Sequence, residues 1–296
     1  MNTFVGNTPL VRLYNLEKEL NWKGQLWAKN EFLNPTGSFK DRGSITEINA
    51  AIAGKKKGVV CASTGNMAAS LSSFAAKNNI SCTVIVPKNT PDGKIKQARI
   101  CGATILTVKG SYDDCVEKAK TYSIENNFLL CGDYELRRIG QTTVGIELAK
   151  CGIDFDAFIA PIGNGTLGSA IAQGFAMYGK FPKFIGVQGK GADPIYQAWK
   201  NRSKIISPIL NPDTTASAMN VGNPLDGLLT LDLIAKTDGQ MFVVSDLEIK
   251  KDQSFIAKNE GLYIEKSAAA TVSVIKKIID RTLTIVLIFT GNGLKE

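Results

Sequence analysis

Residues 58–110 read GVVCASTGNMAASLSSFAAKNNISCTVIVPKNTPDGKIKQARICGATILTVKG. Three apolar runs stand out in it: GVVCAS at 58–63, SCTVIVP at 81–87 and ATILTV at 103–108. They are rich in Val and Ile and bounded by Gly, Asn or Pro, the pattern of short strands buried on both faces. Between the runs, 66–78 and 91–100 carry apolar residues at helical spacing. Strand and helix in alternation are the rhythm of a parallel sheet. Outward from this stretch the rhythm continues with a helix over 112–125, FLLCG at 128–132, a helix over 141–150, FDAFIAP at 155–161, a helix over 169–177 and KFIGVQ at 183–188. A stretch over 203–225 with several Pro and Asn interrupts it as a loop. MFVVS at 241–245, two helical segments and LTIVLIF at 283–289 close the chain's α/β pattern.

Composition narrows the chemistry. With 296 residues, 44% hydrophobic and 21% charged, the chain has enough apolar material for one or two well-buried domains. It has no histidine, which excludes Ser-His-Asp and Cys-His nucleophile systems and the H-E-x-x-H metalloproteases. Six cysteines (Cys61, Cys82, Cys101, Cys115, Cys131, Cys151) fall singly, without a C-x-x-C pair, so reduced core residues and no bound metal are expected. The net charge of +8 is spread along helices rather than gathered in a tract, which argues against a nucleic-acid partner and favours anionic small ligands. The N-terminal MNTFVGNTPLVRL lacks an apolar core of signal-peptide length, and the apolar run 285–289 is too short to span a bilayer. A cytoplasmic protein with no membrane partner is the expectation.

In parallel sheets, ligands bind beyond the carboxyl ends of the strands, so the loops there are the places to look. In NPTGSFKDRG (34–43), Pro35 and Gly37 shape a turn, Ser38 is expected to cap a helix starting at Phe39, and Lys40 falls in its first turn. A lysine opposes the helix dipole there, and imine formation with a carbonyl cofactor is one reason for it; an ordinary surface lysine is the plain alternative. Ser63-Thr-Gly-Asn-Met67 follows a strand and opens a helix, so it forms either an anion site or a simple Ser/Thr cap. Gly163-Asn-Gly-Thr-Leu-Gly168 is again a strand-to-helix turn whose glycines admit a phosphate, and it matches neither a P-loop nor a dinucleotide fingerprint. Thr290-Gly-Asn-Gly293 follows the last buried strand, holding a hydroxyl at a sheet edge or making a plain turn.

Taken in order, GNTPLVRL (6–13), NPTGSFKDRG (34–43), ASTGNMAAS (62–70), VPKNTPDGKIKQARICGA (86–103), the Gly163 loop, TTASAMNVGNPL (214–225) and TGNGLKE (290–296) resemble the fold-type II pyridoxal-phosphate (PLP) enzymes, and within them the threonine synthase family. The likeness covers nearly the whole chain. It implies two open, mainly parallel sheets flanked by helices, with a smaller domain (40–139) inserted into a larger one (1–39 and 140–296). It implies pyridoxal 5'-phosphate as cofactor, with Lys40 as the Schiff-base lysine, Asn66 at the ring hydroxyl, Gly163, Asn164, Gly165, Thr166 and Leu167 at the phosphate, and Thr290 at the pyridine nitrogen. A neutral hydroxyl at that nitrogen would leave the ring less fully protonated. Ser63, Thr64 and Met67 would cradle a substrate carboxylate, and Arg137 would take the phosphate of O-phosphohomoserine by a forked, charge-assisted contact.

The implied reaction converts O-phosphohomoserine and water to threonine and phosphate in a homodimeric enzyme, with Lys40 as the natural base. The chain departs from the family at Thr142, where a lysine is common, at Met67, at Thr166-Leu167, and at Lys266 after Glu265, where proline is usual. Two other readings keep the cofactor's fold: a threonine/serine ammonia-lyase or cysteine/cysteate synthase-like enzyme, and a PLP-fold binding protein without catalysis.

Overall fold

A computed structural model describes residues 4–296 of the chain. Its strands, in chain order, are β1 (Leu10–Arg12), β2 (Gln25–Lys29), β3 (Gly58–Ala62), β4 (Ser81–Pro87), β5 (Thr104–Val108), β6 (Phe128–Leu130), β7 (Ala157–Pro161), β8 (Lys183–Gly189), β9 (Gln240–Val244) and β10 (Thr284–Ile288). They form a four-stranded sheet ordered β5-β4-β3-β6 and a six-stranded sheet ordered β1-β2-β10-β7-β8-β9. Two compact units contain them, Met1–Val5 with Asn34–Gly140 and Gly6–Leu33 with Gln141–Glu296. Every pairing is parallel except β1 with β2. The α/β reading of the sequence, with two mainly parallel sheets, therefore holds.

In the first unit β3 is buried along its whole length, as its unbroken GVVCA run requires of a strand covered on both faces. Val59 and Cys61 point to one side with Ile48, Leu71, Phe74 and Val84, while Val60 and Ala62 point to the other with Ile85 and Cys115. The two-residue period of a strand thus feeds two cores. In the second unit β7 is likewise wholly buried. The helix Lys266–Ile275 has nine of its residues buried, from Ser267 to Ile275, which fits a segment that is apolar or small all round. Ile285, Leu287, Ile159 and Val187 share its core, each such side chain contributing about 1.5–3 kcal/mol by burial.

Several expectations are corrected. β1 and β2 were not legible as strands. Lys29 ends β2 with a buried ammonium that donates to the Thr8 carbonyl at 2.7 Å and to Glu147 at 2.6 Å, so a charged residue hides a buried position. The helix expected over 141–150 runs from Glu135 to Lys150, and the one expected over 169–177 from Thr166 to Ala176. Cysteines 61, 82, 115 and 131 are buried, but Cys101 is half-buried and Cys151 exposed, so the cysteines do not all belong to the core. Among the described residues no helix is long and apolar enough to cross a membrane.

Candidate active site

Lys40 opens the helix Lys40–Ala53, and the cap is Phe39, without a side-chain hydrogen bond. Ser38, expected as that cap, is fully buried and its Oγ finds no partner. The turn is held instead by Asp41, whose carboxylate accepts the Thr36 N–H at 2.8 Å and the Thr36 hydroxyl. A carboxylate in the first helical turn also complements the dipole that Lys40 opposes. The Lys40 ammonium donates to Asp133 Oδ1 at 2.9 Å, and both side chains are largely buried.

Behind Lys40 lies a buried ion pair. Arg137 is fully buried; its Nε donates to the Gly132 carbonyl at 3.1 Å, Nη1 to the Lys40 carbonyl at 3.2 Å, and Nη2 to Ser44 Oγ and Glu47 Oε2. Glu47 Oε1 in turn accepts the Gly132 N–H at 3.0 Å. Burial raises the Glu47 pKa, with Arg137 and the Gly132 N–H pulling against it. Burial likewise disfavours the Arg137 cation, but Glu47 and then Asp133 more than restore it, so its pKa stands above the ordinary value. Gly43 is the surface against which Arg137 lies: a Cβ there would sit 2.4 Å from Arg137 Cγ. The expectation that Arg137 takes a substrate phosphate is corrected by this geometry. Each guanidinium nitrogen already donates to the protein, and none faces solvent. Arg137 ties the Lys40 helix to the turn that carries Asp133.

Ser63, Thr64 and Asn66 follow β3, which neighbours β6 in the sheet. The Lys40–Asp133 pair lies beyond β6, so both loops stand at the carboxyl edge, where parallel sheets bind ligands. The helix Asn66–Lys77 is capped by Gly65 without a side-chain bond, and Ser63 Oγ accepts the Gly65 N–H at 3.3 Å. Neither hydroxyl caps the helix, and its first N–H groups have no intrahelical acceptor. The Met67 side chain is buried in the core of the first unit, so only its backbone belongs to the turn.

The second unit carries the other expected residues. The turn after β7 ends at Gly165, whose φ of 90° is left-handed and suits glycine. Asn164 fastens the loop from outside, its Oδ1 accepting the Leu225 N–H at 3.2 Å and its carbonyl the Asp226 N–H at 2.9 Å. Thr166 begins the helix Thr166–Ala176; it is 3% exposed, and its Oγ1 has no hydrogen-bond partner. Leu167 is buried and contributes backbone alone. A buried hydroxyl left unsatisfied costs about 1–3 kcal/mol. Beside the open N–H groups of a helix start, it fits a phosphate oxygen. Thr290 lies beyond β10, the neighbour of β7, and is 1% exposed, donating to Glu265 Oε1 at 2.6 Å. Asp133, Glu47 and Glu265 are the residues sequence reasoning missed; only Glu265 was marked, by its unusual follower Lys266.

The chain matches the family described as pyridoxal-phosphate dependent enzyme over residues 1–291. It is 39% identical to the threonine synthase of Methanocaldococcus jannaschii, over 98% of this chain and 75% of that protein. Against the threonine synthase of Methanosarcina acetivorans the identity is 36%, with the same coverage. Among solved structures, maize serine racemase superposes with a TM-score of 0.86 at 23% identity, covering 97% of this chain and 88% of that one.

Proposed function

Because the chain belongs to the pyridoxal-phosphate dependent enzymes and, within them, to the threonine synthases, we propose that it converts O-phosphohomoserine and water to threonine and phosphate. The observation that carries this reading is the identity to threonine synthases over nearly the whole chain. Pyridoxal phosphate, when bound, supplies the electron sink that makes an amino-acid Cα proton removable. The remaining work belongs to the protein. Lys40 carries the cofactor, and its freed amine takes the Cα proton. Asp133 accepts a charge-assisted hydrogen bond from the ammonium that results. The first N–H groups of the helix Thr166–Ala176 and the Thr166 hydroxyl hold the cofactor phosphate, within the loop Gly163, Asn164, Gly165, Thr166 and Leu167. Asn66 meets the ring hydroxyl and Thr290 the ring nitrogen. Ser63, Thr64 and the Met67 backbone hold the substrate carboxylate. The reading includes a cytoplasmic homodimer with the smaller domain inserted into the larger.

A second reading is favoured by one observation. The burial of Arg137 removes the cation expected for a substrate phosphate, which favours an unphosphorylated amino acid and hence a serine or threonine ammonia-lyase. Incubating the PLP-loaded protein with O-phosphohomoserine, serine and threonine in parallel separates the two. Equal amounts of phosphate and threonine from the first support the synthase. Keto-acid from serine or threonine, without turnover of O-phosphohomoserine, overturns it.

A further inference from the structure

Tyr112 opens the helix Tyr112–Glu125 after β5, yet its hydroxyl donates to the carbonyl of Ala62, the last residue of β3, at 3.0 Å. Fifty positions separate the two. The residue is half-exposed but its hydroxyl is sunk: burial, and then the charge of Asp133, raise the phenol's pKa, so it keeps its proton and donates.

The carbonyl it meets is one the sheet leaves over. The Val60 carbonyl accepts the Cys131 N–H at 2.8 Å from the β6 side, and the last register pair of that ladder is Val60 with Leu130. Two residues on, Ala62 faces the same side, but there β6 has passed into its turn, whose Gly132 N–H donates to Glu47. A buried carbonyl beyond the end of a ladder needs a donor from elsewhere, and Tyr112 supplies it. The helix delivers the phenol to that place. Cys115 and Ala119 pack with Val60, Ala62 and Ile85 in one core, and a capping box between Ser111 and Asp114 fixes the helix start. Gly110 leaves room for that box, since a Cβ there would lie 2.2 Å from Asp114 Oδ2.

We propose that Tyr112 is a positioning residue: by holding the Ala62 carbonyl it fixes the direction in which the chain leaves β3, and so aims the turn 63–66 at the carboxylate of the amino-acid substrate. The inference rests on the reading that this turn receives that carboxylate. Ser63 follows Ala62 directly. Inside the turn the Gly65 N–H reaches Ser63 Oγ at a long 3.3 Å, and a Cβ at Gly65 would meet nothing within 4 Å among the described residues. A turn so loosely packed takes its direction from its root. The same hydroxyl feels the charge of Asp133, the partner of Lys40, so the bond to Ala62 also keeps the turn at a fixed offset from that pair.

The test is Tyr112→Phe, which keeps the ring and removes the hydroxyl. In the ligand-free protein, deuterium uptake by the backbone of residues 62–66 is expected to quicken about fivefold, with the helix Thr166–Ala176 unchanged. In the PLP-loaded protein, affinity for threonine is expected to fall about fivefold, the worth of one hydrogen bond, while affinity for threonine amide, which lacks the carboxylate, stays as it was. Ser111→Ala loosens the helix start and keeps the phenol; it is expected to move both readouts the same way by about twofold, which keeps the test open should Tyr112→Phe not fold. Unchanged uptake over 62–66, unchanged affinity for threonine, or an equal fall for threonine and its amide would overturn the proposal. An unaltered chain that binds threonine and its amide alike would remove the carboxylate reading beneath it, a result distinct from a preference for threonine that Tyr112→Phe leaves intact.

Discussion

Lys40 and Asp133 are joined by a 2.9 Å ion pair, both side chains being about one-seventh exposed, although ninety-three positions separate them in sequence. The pair places the one chemically distinctive lysine of the NPTGSFKDRG loop against a carboxylate. Lys40→Ala is expected to abolish the visible absorbance of bound PLP and to lower turnover by about 10²–10⁴-fold, the usual worth of a positioned base. Asp133→Asn keeps the shape and removes the charge, and a fall in kcat of about tenfold with little change in KM follows from losing one charge-assisted hydrogen bond. Unchanged kcat in Asp133→Asn would show that the carboxylate has no part in the proton transfers.

Arg137→Ala tests the buried ion pair. Removing the cation strands Glu47 in a buried site, and the expected loss of stability is about 3–5 kcal/mol. Urea unfolding of the ligand-free protein reads it directly. A raised KM for a phosphorylated substrate, at unchanged stability, would instead return Arg137 to the role expected from sequence.

Thr166→Val makes two changes of opposite sign. It removes a buried hydroxyl without a partner, so the ligand-free protein is expected to gain about 1 kcal/mol or hold its stability. The same change removes a donor to the cofactor phosphate, and PLP affinity is expected to fall about tenfold or more. Titration of the ligand-free protein with PLP measures the second effect and thermal unfolding the first. Affinity equal to that of the unaltered chain would take the phosphate away from this helix start.

Glu248 provides a pH signature. Partial burial opposes its charge, but hydrogen bonds from Lys277 and from the Ser245 N–H and hydroxyl overcome that and lower its pKa to about 2. A carboxyl depressed in the folded state stabilises the fold above its unfolded value near 4.5, and that contribution is lost as pH falls towards 2. Glu248→Gln is therefore expected to lower the Tm at pH 6–7, by the modest amount appropriate to a half-exposed group in a capping box. The two melting curves should converge as pH drops below about 4.5. A gap that persists at pH 2 would assign the effect to packing rather than to charge.

The parallel sheets were legible because their strands are unbroken apolar runs: GVVCA, SCTVIVP and TIVLI announce burial in their composition. β1 and β2 were not, since β1 has only three residues and Lys29 of β2 is buried through partners that no local pattern shows. The loops rich in Gly and hydroxyl residues were legible as anion sites because they join strand to helix. What each polar side chain faces was not. Arg137 looks like a phosphate ligand until Glu47 is found ninety residues earlier in the chain, and Ser38 looks like a cap until its hydroxyl is found without a partner. Spacing reports residue type and local geometry, while partnership is decided by packing.

The Arg137–Glu47 knot also bears on the order in which the chain becomes structured. Glu47 leaves the ribosome some ninety residues before the guanidinium and the Gly132 N–H that satisfy it. A nascent chain that stops short of Gly132 has no favourable way to bury that carboxylate, so the helix Lys40–Ala53 cannot settle against β3 and β6 until the turn at Gly132 has emerged. Closure of the first unit is therefore a late, long-range event of the kind that slows folding and lengthens exposure of unfinished strand edges. Release of truncated chains should show the change as a step in protease resistance once residue 137 clears the exit tunnel, rather than as a gradual rise with length.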